Sequence, residues 1–328
     1  MLISVLKQIF WHKPGLDERL EEQAYAPYYT ENALAERMRR KTASLREAGY
    51  LNYPALVHIE TQAVCNAACT FCPYPSMERK GVRMSDELID KILRDLADIP
   101  REVPFQLAPY KVSEPFVEKR LFDILRTANE RLPNARISLI SNGAALTEKK
   151  IAELRTIRNI AYLNVSLNFS DPDEYHSVMK IPFKRTVKRL DMLHEAKSSG
   201  ELEIVVRLTR VSGNQAADRA YLEFTAKRYP AFASMIVPRN DWIGDIPGAV
   251  LDSVPDAPCH RWFDLSITAT GKVAMCCMDG DAKYPKGDIR TQHALEIYNL
   301  PHLLAMRTQL ISRRQAGAPC DRCTYASF

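Results

Sequence analysis

The chain has 328 residues, an ordinary charged fraction of 26% and a formal net charge of +5, so it reads as a globular protein of one large domain plus a small one, or an α/β barrel with additions. Acidic and basic residues are interspersed, which indicates no nucleic-acid surface, and no apolar run reaches the length of a membrane span. Residues 1–11 are apolar in patches but are interrupted by Lys7 and followed by no small-residue cleavage site, and they read as an amphipathic start rather than a signal peptide. The eight cysteines are clustered, three at positions 65–72 and five at 259, 276, 277, 320 and 323. Without an export signal, two separated groups argue against a disulfide framework and for two metal centres in a reducing, cytoplasmic compartment.

Residues 1–54 are polar and helix-prone, with an acidic stretch at 16–22 and a basic one at 34–47, and are expected to pack on the main domain as an N-terminal helical extension. From Pro54 a strand–helix alternation begins. Strands are predicted over 56–60, 105–108, 137–140, 161–167, 202–208 and 233–237. The helices between them are predicted from an N-cap at Ser85 to about 98, over 116–131, from Thr147, over 184–197 and over 217–229. Such alternation implies parallel pairing through right-handed crossovers, closing as a partial (β/α)6 TIM-like barrel or opening as a doubly wound sheet. Reactive loops then belong at the carboxyl ends of the strands. A linker at 252–258 ends this core, expected to span 55–250. A β-hairpin over 264–268 and 273–277, helices over 293–299 and 302–314, and the pair Cys320 and Cys323 make up a small C-terminal domain, 251–328.

The stretch Cys65-Asn66-Ala67-Ala68-Cys69-Thr70-Phe71-Cys72 directly follows the first strand. Three neighbouring thiolates can hold three corners of a four-iron cluster and leave the fourth iron open. A zinc site would need a fourth ligand, and His58, in the preceding strand, reads as a packing residue.

The CxxxCxxC spacing, with an aromatic residue just before the third cysteine, resembles the cluster loop of the radical S-adenosylmethionine (radical SAM) superfamily. The resemblance implies that Cys65, Cys69 and Cys72 bind a [4Fe–4S] cluster whose open iron is chelated by SAM, and that an external donor such as flavodoxin or ferredoxin supplies the electron that cleaves SAM to a 5′-deoxyadenosyl radical. Lys111-Val112-Ser113-Glu114-Pro115 resembles the family's Gly-Gly-Glu-Pro turn with both glycines replaced, which makes Glu114 the expected partner of the SAM ammonium. Ser141-Asn142-Gly143 resembles the turn near the SAM ribose. On the fourth strand Ser166 and Asn168 share a face, and Ser166 is expected to touch SAM. Arg207, on the fifth strand, suits the SAM carboxylate.

Cys259, the Gly271-x-x-x-x-Cys276 element, Cys320 and Cys323 resemble the SPASM/twitch extension of the same superfamily. Five cysteines are too few for its two-cluster form, so a single auxiliary [4Fe–4S] cluster is expected, with Cys259, Cys276, Cys320 and Cys323 as ligands. Adjacent strand residues point to opposite faces, so only one of Cys276 and Cys277 should ligate, and the glycine spacing favours Cys276. The other is then a core cysteine or a hydrogen-atom donor.

The resemblance implies hydrogen abstraction from a small polar substrate and its oxidation, with the auxiliary cluster as electron acceptor. The alternatives are a radical SAM epimerase, a peptide maturase with a peptide substrate, or a non-catalytic iron–sulfur or zinc-binding adaptor. Asp241 and Trp242, past the sixth strand, are positioned to meet a hydroxyl or a sugar face.

Overall fold

The computed structural model describes residues 30–247, 251 and 253–325. The amphipathic start at 1–11, the acidic stretch at 16–22 and residue 252 of the expected linker lie outside the described residues. The first described helix, α1 (Glu31–Glu47), is opened by Thr30, whose hydroxyl accepts from the amide of Ala33. Ala35 and Met38 pack on Ala257, Arg46 reaches the carbonyl of Thr308, and Leu45 and Tyr50 lie against the cluster built on Trp262 and Phe263. The described part of the extension is thus fastened to the C-terminal segment, and it meets the core through Tyr50, whose hydroxyl donates to the Pro104 carbonyl at 2.6 Å, and through Tyr53, which packs against the cluster of Val57, Ile59 and Phe105.

The core alternates β1 (Leu56–Ile59), α2 (Asp86–Leu96), β2 (Phe105–Ala108), α3 (Leu121–Arg131), β3 (Ala135–Ser141), α4 (Glu148–Leu154), β4 (Ile160–Val165), α5 (Pro172–Met179), α6 (Phe183–Ser198), β5 (Val206–Val211), α7 (Gln215–Arg228) and β6 (Ala233–Val237). The six strands are parallel and pair in chain order, β6 pairing with β5 alone, so the barrel is partial and does not close. Ile137, Leu139, Leu163, Val165, Val206 and Leu208 form one apolar layer with Leu121, Leu125, Ile151, Leu190 and Leu193 of the helices. Alternate residues, among them Tyr162, Asn164 and Arg207, face the other way, into the lumen.

On the far side of β1 the sheet continues through β7 (Asp264–Ile267), parallel to β1, and the antiparallel β8 (Lys272–Ala274) and β9 (Pro285–Asp288). The C-terminal hairpin is thus an extension of the core sheet, making nine strands. Helices α8 (Ala294–Tyr298) and α9 (Pro301–Gln309) follow. No helix among the described residues is long and apolar enough to cross a membrane.

The structure differs from the expected elements in three places that bear on the site. The fifth strand lies at 206–211, not 202–208: Leu202 and Ile204 are buried loop residues that mimic alternation, while Arg207 and Arg210 break the apolar run of the true strand. Helix α5, started by Asp171 as N-cap with Pro172 at its first position, was not foreseen. β8 ends at Ala274, so Cys276 and Cys277 stand in a turn rather than on a strand.

Arg210, 2% exposed, is ion-paired to Asp218 of α7 at 2.7 Å, and the second Asp218 oxygen accepts from Ser212. Removing one partner of such a pair strands a buried charge. Asp218→Ala is expected to destabilise the chain by about 3–5 kcal/mol, read as a fall in its thermal or urea unfolding midpoint.

Candidate active site

Cys65, Cys69 and Cys72 line one end of a cavity at the carboxyl ends of the core strands, with about 920 Å³ of atom-free space. Backbone contacts hold the cysteine loop. The amides of Ala68 and Thr70 donate to Met179 and Val178, so α5 is the platform on which the loop rests, and the Met179 sulfur lies 3.6 Å from the sulfur of Cys69. Asn142 donates to Asn66 at 2.7 Å, with its amide nitrogen 3.8 Å from Cys65 Sγ. Burial pushes the Cys65 and Cys72 thiols up to about 12 and about 11, and raises Cys69 as well, with mutual repulsion adding to Cys65 and Cys69. These thiols stay protonated until a metal displaces the protons.

The cavity wall opposite is formed by the turns after β2 and β3. Glu114 is fully buried. Its carboxylate accepts from Ser141 Oγ at 2.8 Å, from the Asn142 amide at 2.7 Å and from the Phe116 amide at 3.1 Å. Burial raises its pKa to about 7 against the lowering effect of those donors. The Ser141-Asn142-Gly143 turn needs its glycine: φ is +80°, and a Cβ would stand 2.9 Å from Val165. Glu114, Ser141, Asn142, Ser166 and Asn168 all line this cavity.

Arg207 does not. It lies on the lumen face toward the amino end of β5, its guanidinium 4.0 Å over the Tyr162 ring. The cations lining the cavity are instead Lys111, in the turn after β2, and Arg239, just past β6 and beside Asn240. Arg239 Nε and Asn240 Oδ1 are buried without a hydrogen-bond partner among the described residues. Sequence reasoning passed over Arg239, although a polar residue directly after a strand that ends at the site is the signal to seek. Trp242 lines the cavity and donates to the Phe71 carbonyl at 3.0 Å. Asp241 turns away: its two oxygens accept from the Ile243 amide and from Thr324 Oγ1, both at 3.0 Å.

A second, narrower cavity is lined by Cys259, Cys276, Cys320 and Cys323, together with Trp262, Ile243, Arg261 and Arg313. Trp262 Nε1 donates to Cys320 Sγ at 3.5 Å, and Arg313 Nη1 lies 3.9 Å from Cys323 Sγ. Cys277 lines neither cavity. Its sulfur lies within 4.8 Å of ligand atoms of His58 and Asp264, and Asp264 is ion-paired to Arg261 at 2.9 Å. A hydrogen-donor role for Cys277 at the first cavity has no geometric basis.

The two cavities are physically joined. Lys111 Nζ, buried, reaches the carbonyls of Cys277, Asp279 and Gly280, and Arg79 reaches the Gly280 carbonyl and the carboxylate of Glu60.

Three convergent thiols beside open space, and four thiols around a closed pocket with N–H donors aimed at their sulfurs, suit two thiolate-held iron–sulfur centres, the first with a vacant coordination position. A strand–helix core carrying such a pair defines a cluster enzyme of the radical type. A radical SAM superfamily model matches residues 59–211, and an iron–sulfur cluster-binding domain model, SPASM, matches residues 259–324. The chain carries a radical SAM domain and a SPASM-type iron–sulfur domain, and [4Fe–4S] clusters and SAM are its cofactors. It is similar to the S-adenosyl-L-methionine-dependent 2-deoxy-scyllo-inosamine dehydrogenase of Niallia circulans, with 22% identity over 83% of this chain and 94% of that protein. The putative peptide biosynthesis protein YydG of Bacillus subtilis (strain 168) is 26% identical over 48% of this chain, which spans about half of that relative (46%). Among solved structures, BtrN in complex with AdoMet and 2-DOIA superposes with a TM-score of 0.56 at 18% identity, covering 83% of this chain and 93% of BtrN. Streptococcus suis SuiB bound to precursor peptide SuiA does so with 0.63 at 13% identity, covering 88% and 74%.

Anaerobic reconstitution is expected to load about eight irons per chain, and replacement of Cys65, Cys69 and Cys72 by alanine about four. Iron and acid-labile sulfide assays check both values.

Proposed function

We propose that the protein is a radical SAM oxidoreductase that removes a hydrogen atom from a small polar substrate and oxidises it in dehydrogenase fashion. The observation that carries this reading is the contrast between the two sulfur-lined cavities. One is open, with three thiols and unpartnered polar atoms. The other is narrow, with four thiols and no room for substrate at a metal. A fully thiolate-ligated second centre suits an electron acceptor better than a substrate ligand. The 22% identity with a dehydrogenase over nearly its whole length supports the same reaction class.

In this proposal Cys65, Cys69 and Cys72 hold the first cluster, and Cys259, Cys276, Cys320 and Cys323 the second. When bound, the first cluster and SAM would supply a 5′-deoxyadenosyl radical, and the second cluster would supply an acceptor for the electron left on the substrate. Glu114, oriented by Ser141 and Asn142, receives the SAM ammonium, and Ser166 borders the same ligand. Arg239 and Asn240 grip the polar groups of the substrate. Trp242 walls the cavity against water. An external one-electron donor such as flavodoxin or ferredoxin feeds the first centre. The division into an extension over 1–54, a core over 55–250 and an auxiliary domain over 251–328 belongs to the same proposal.

A peptide substrate is the second reading. The breadth of the open cavity and the likeness to SuiB and YydG favour it. Product mass after incubation with aminocyclitols or sugars on one side, and short peptides on the other, decides between the two. A loss of two hydrogens from a small polyol supports oxidation. Zinc in place of iron, or no 5′-deoxyadenosine formed from SAM and dithionite, would sink both readings.

Two further outcomes follow from the residue assignments. Cys276→Ala should lose about four irons per chain and Cys277→Ala none. For Glu114, a carboxyl raised to about 7 is half-protonated near neutrality in the ligand-free site. Protonation costs binding of an ammonium, so the proton must leave first at lower pH. SAM affinity should therefore rise about tenfold from about pH 6 to about pH 8 and level off above it. Glu114→Gln should bind weakly at every pH, with a flat profile, in calorimetric titrations.

A further inference from the structure

Arg313 opens a short 3₁₀ turn, Arg313–Gln315, that is capped by Ser312, and it is 0% exposed. A guanidinium so deep in a protein stays charged and needs compensation. The buried Arg79 and Arg210 and the partly buried Arg261 each have a carboxylate partner, Glu60, Asp218 and Asp264. Arg307, also buried, donates to the carbonyls of Leu51 and Tyr298 and stacks on the Tyr298 ring. Arg313 differs from all of these. Nη1 donates to the carbonyls of Cys323 and Tyr325 and lies 3.9 Å from Cys323 Sγ, and Nη2 lies 3.4 Å from the Met38 sulfur. Nε has no partner, and no carboxylate pairs with the group among the described residues. The groups it faces are thiols, which become anionic when a metal displaces their protons: Arg313 lines the narrow cavity with Cys259, Cys276, Cys320 and Cys323. The only other cation lining that cavity, Arg261, is already neutralised by Asp264.

We propose that Arg313 is the built-in counter-charge of the C-terminal metal centre, compensating its four thiolates and biasing a cluster held there toward the reduced form. A four-thiolate cluster gains one negative charge on reduction, and a fixed buried cation at its edge favours that form. In the oxidation proposed above, the substrate C–H hydrogen leaves as an atom to the 5′-deoxyadenosyl group, the O–H proton leaves to solvent, and the remaining electron enters this centre. Arg313 acts on that last transfer through the cluster and touches no substrate. Its contacts to Cys323 and Met38 also fasten the ligand segment to α1.

The inference rests on the reading that these four thiols hold a cluster, and the test separates the two. The chain with Cys65, Cys69 and Cys72 replaced by alanine is reconstituted anaerobically, so that only the C-terminal centre is present, and is titrated by electron paramagnetic resonance against redox mediators. Arg313→Gln and Arg313→Lys are compared in that background. With Arg313→Gln, the reduced-to-oxidised ratio at the parent midpoint should fall about tenfold, which for one electron is about 59 mV. Arg313→Lys, which keeps the charge, should stay close to the parent. If Arg313→Gln fails to load iron while Arg313→Lys loads, the counter-charge is upheld. If both fail to load, or if Arg313→Gln titrates with the parent, the proposal is overturned and Arg313 is a backbone clasp only. A parent that binds no iron overturns the cluster reading first, and the arginine's part with it.

Discussion

The structure depends on one buried carboxylate. Glu60, the residue after β1, is 0% exposed and accepts from the amides of Val112 and Ala269 at 3.0 Å each, and from Arg79. Val112 belongs to the turn that carries Glu114, and Ala269 to the turn of the C-terminal hairpin. A single charged group therefore sets the spacing between the SAM-side wall and the auxiliary domain. Arg79 neutralises it and, with Lys111, donates to the loop carbonyls after Cys276. Asp279 gathers that loop from within, accepting the amides of Met275, Lys283 and Tyr284. Buried ionic networks of this kind are costly to break because each lost partner leaves an uncompensated charge. They hold elements in one relative placement, which two redox centres acting in sequence require.

The same network accounts for the replaced glycines of the Glu114 turn. A glycine pair leaves a turn free to approach a ligand with bare backbone. Here Val112 is buried and its amide is committed to Glu60, and Lys111 reaches across to the auxiliary loop. The turn has exchanged backbone freedom for a tether, and Glu114 is oriented instead by Ser141, Asn142 and Phe116.

The sequence made the alternating core legible because buried parallel strands are apolar runs and the helices carry side-chain caps: Ser85 and Thr147 are N-caps as the pattern implied. The clustering of cysteines pointed to two centres; Cys65, Cys69 and Cys72 converge on one cavity, and four of the other five cysteines, all but Cys277, on a second. What stayed hidden depends on tertiary partners. Arg207 and Arg210 look alike in sequence, and only the pleat distinguishes the one stacked on Tyr162 from the one paired with Asp218. Glu60 and Lys111 have no local signature, since their partners lie 19 to 209 positions away in sequence. β9, with Pro285 and Gly287, lacks strand propensity and exists because β8 offers it an edge.

The segment after β6 draws these threads together. Arg239, Asn240 and Trp242 line the open cavity, and Ile243, the next residue, lines the closed one. Trp242 and Ile243 both have positive φ, 51° and 61°, a conformation that costs about 1–3 kcal/mol per residue and persists only where surroundings enforce it. The enforcing contacts are the Trp242 bond to the Phe71 carbonyl in the first cysteine loop and the Asp241 bond to Thr324, next to Cys323. One strained loop is therefore pinned at one end to the cluster loop of the core and at the other to the ligand segment of the auxiliary domain. A wall shared in this way fixes the two cavities relative to each other, because the segment that lines both is bonded to the cluster loop of the core and to the ligand segment of the auxiliary domain.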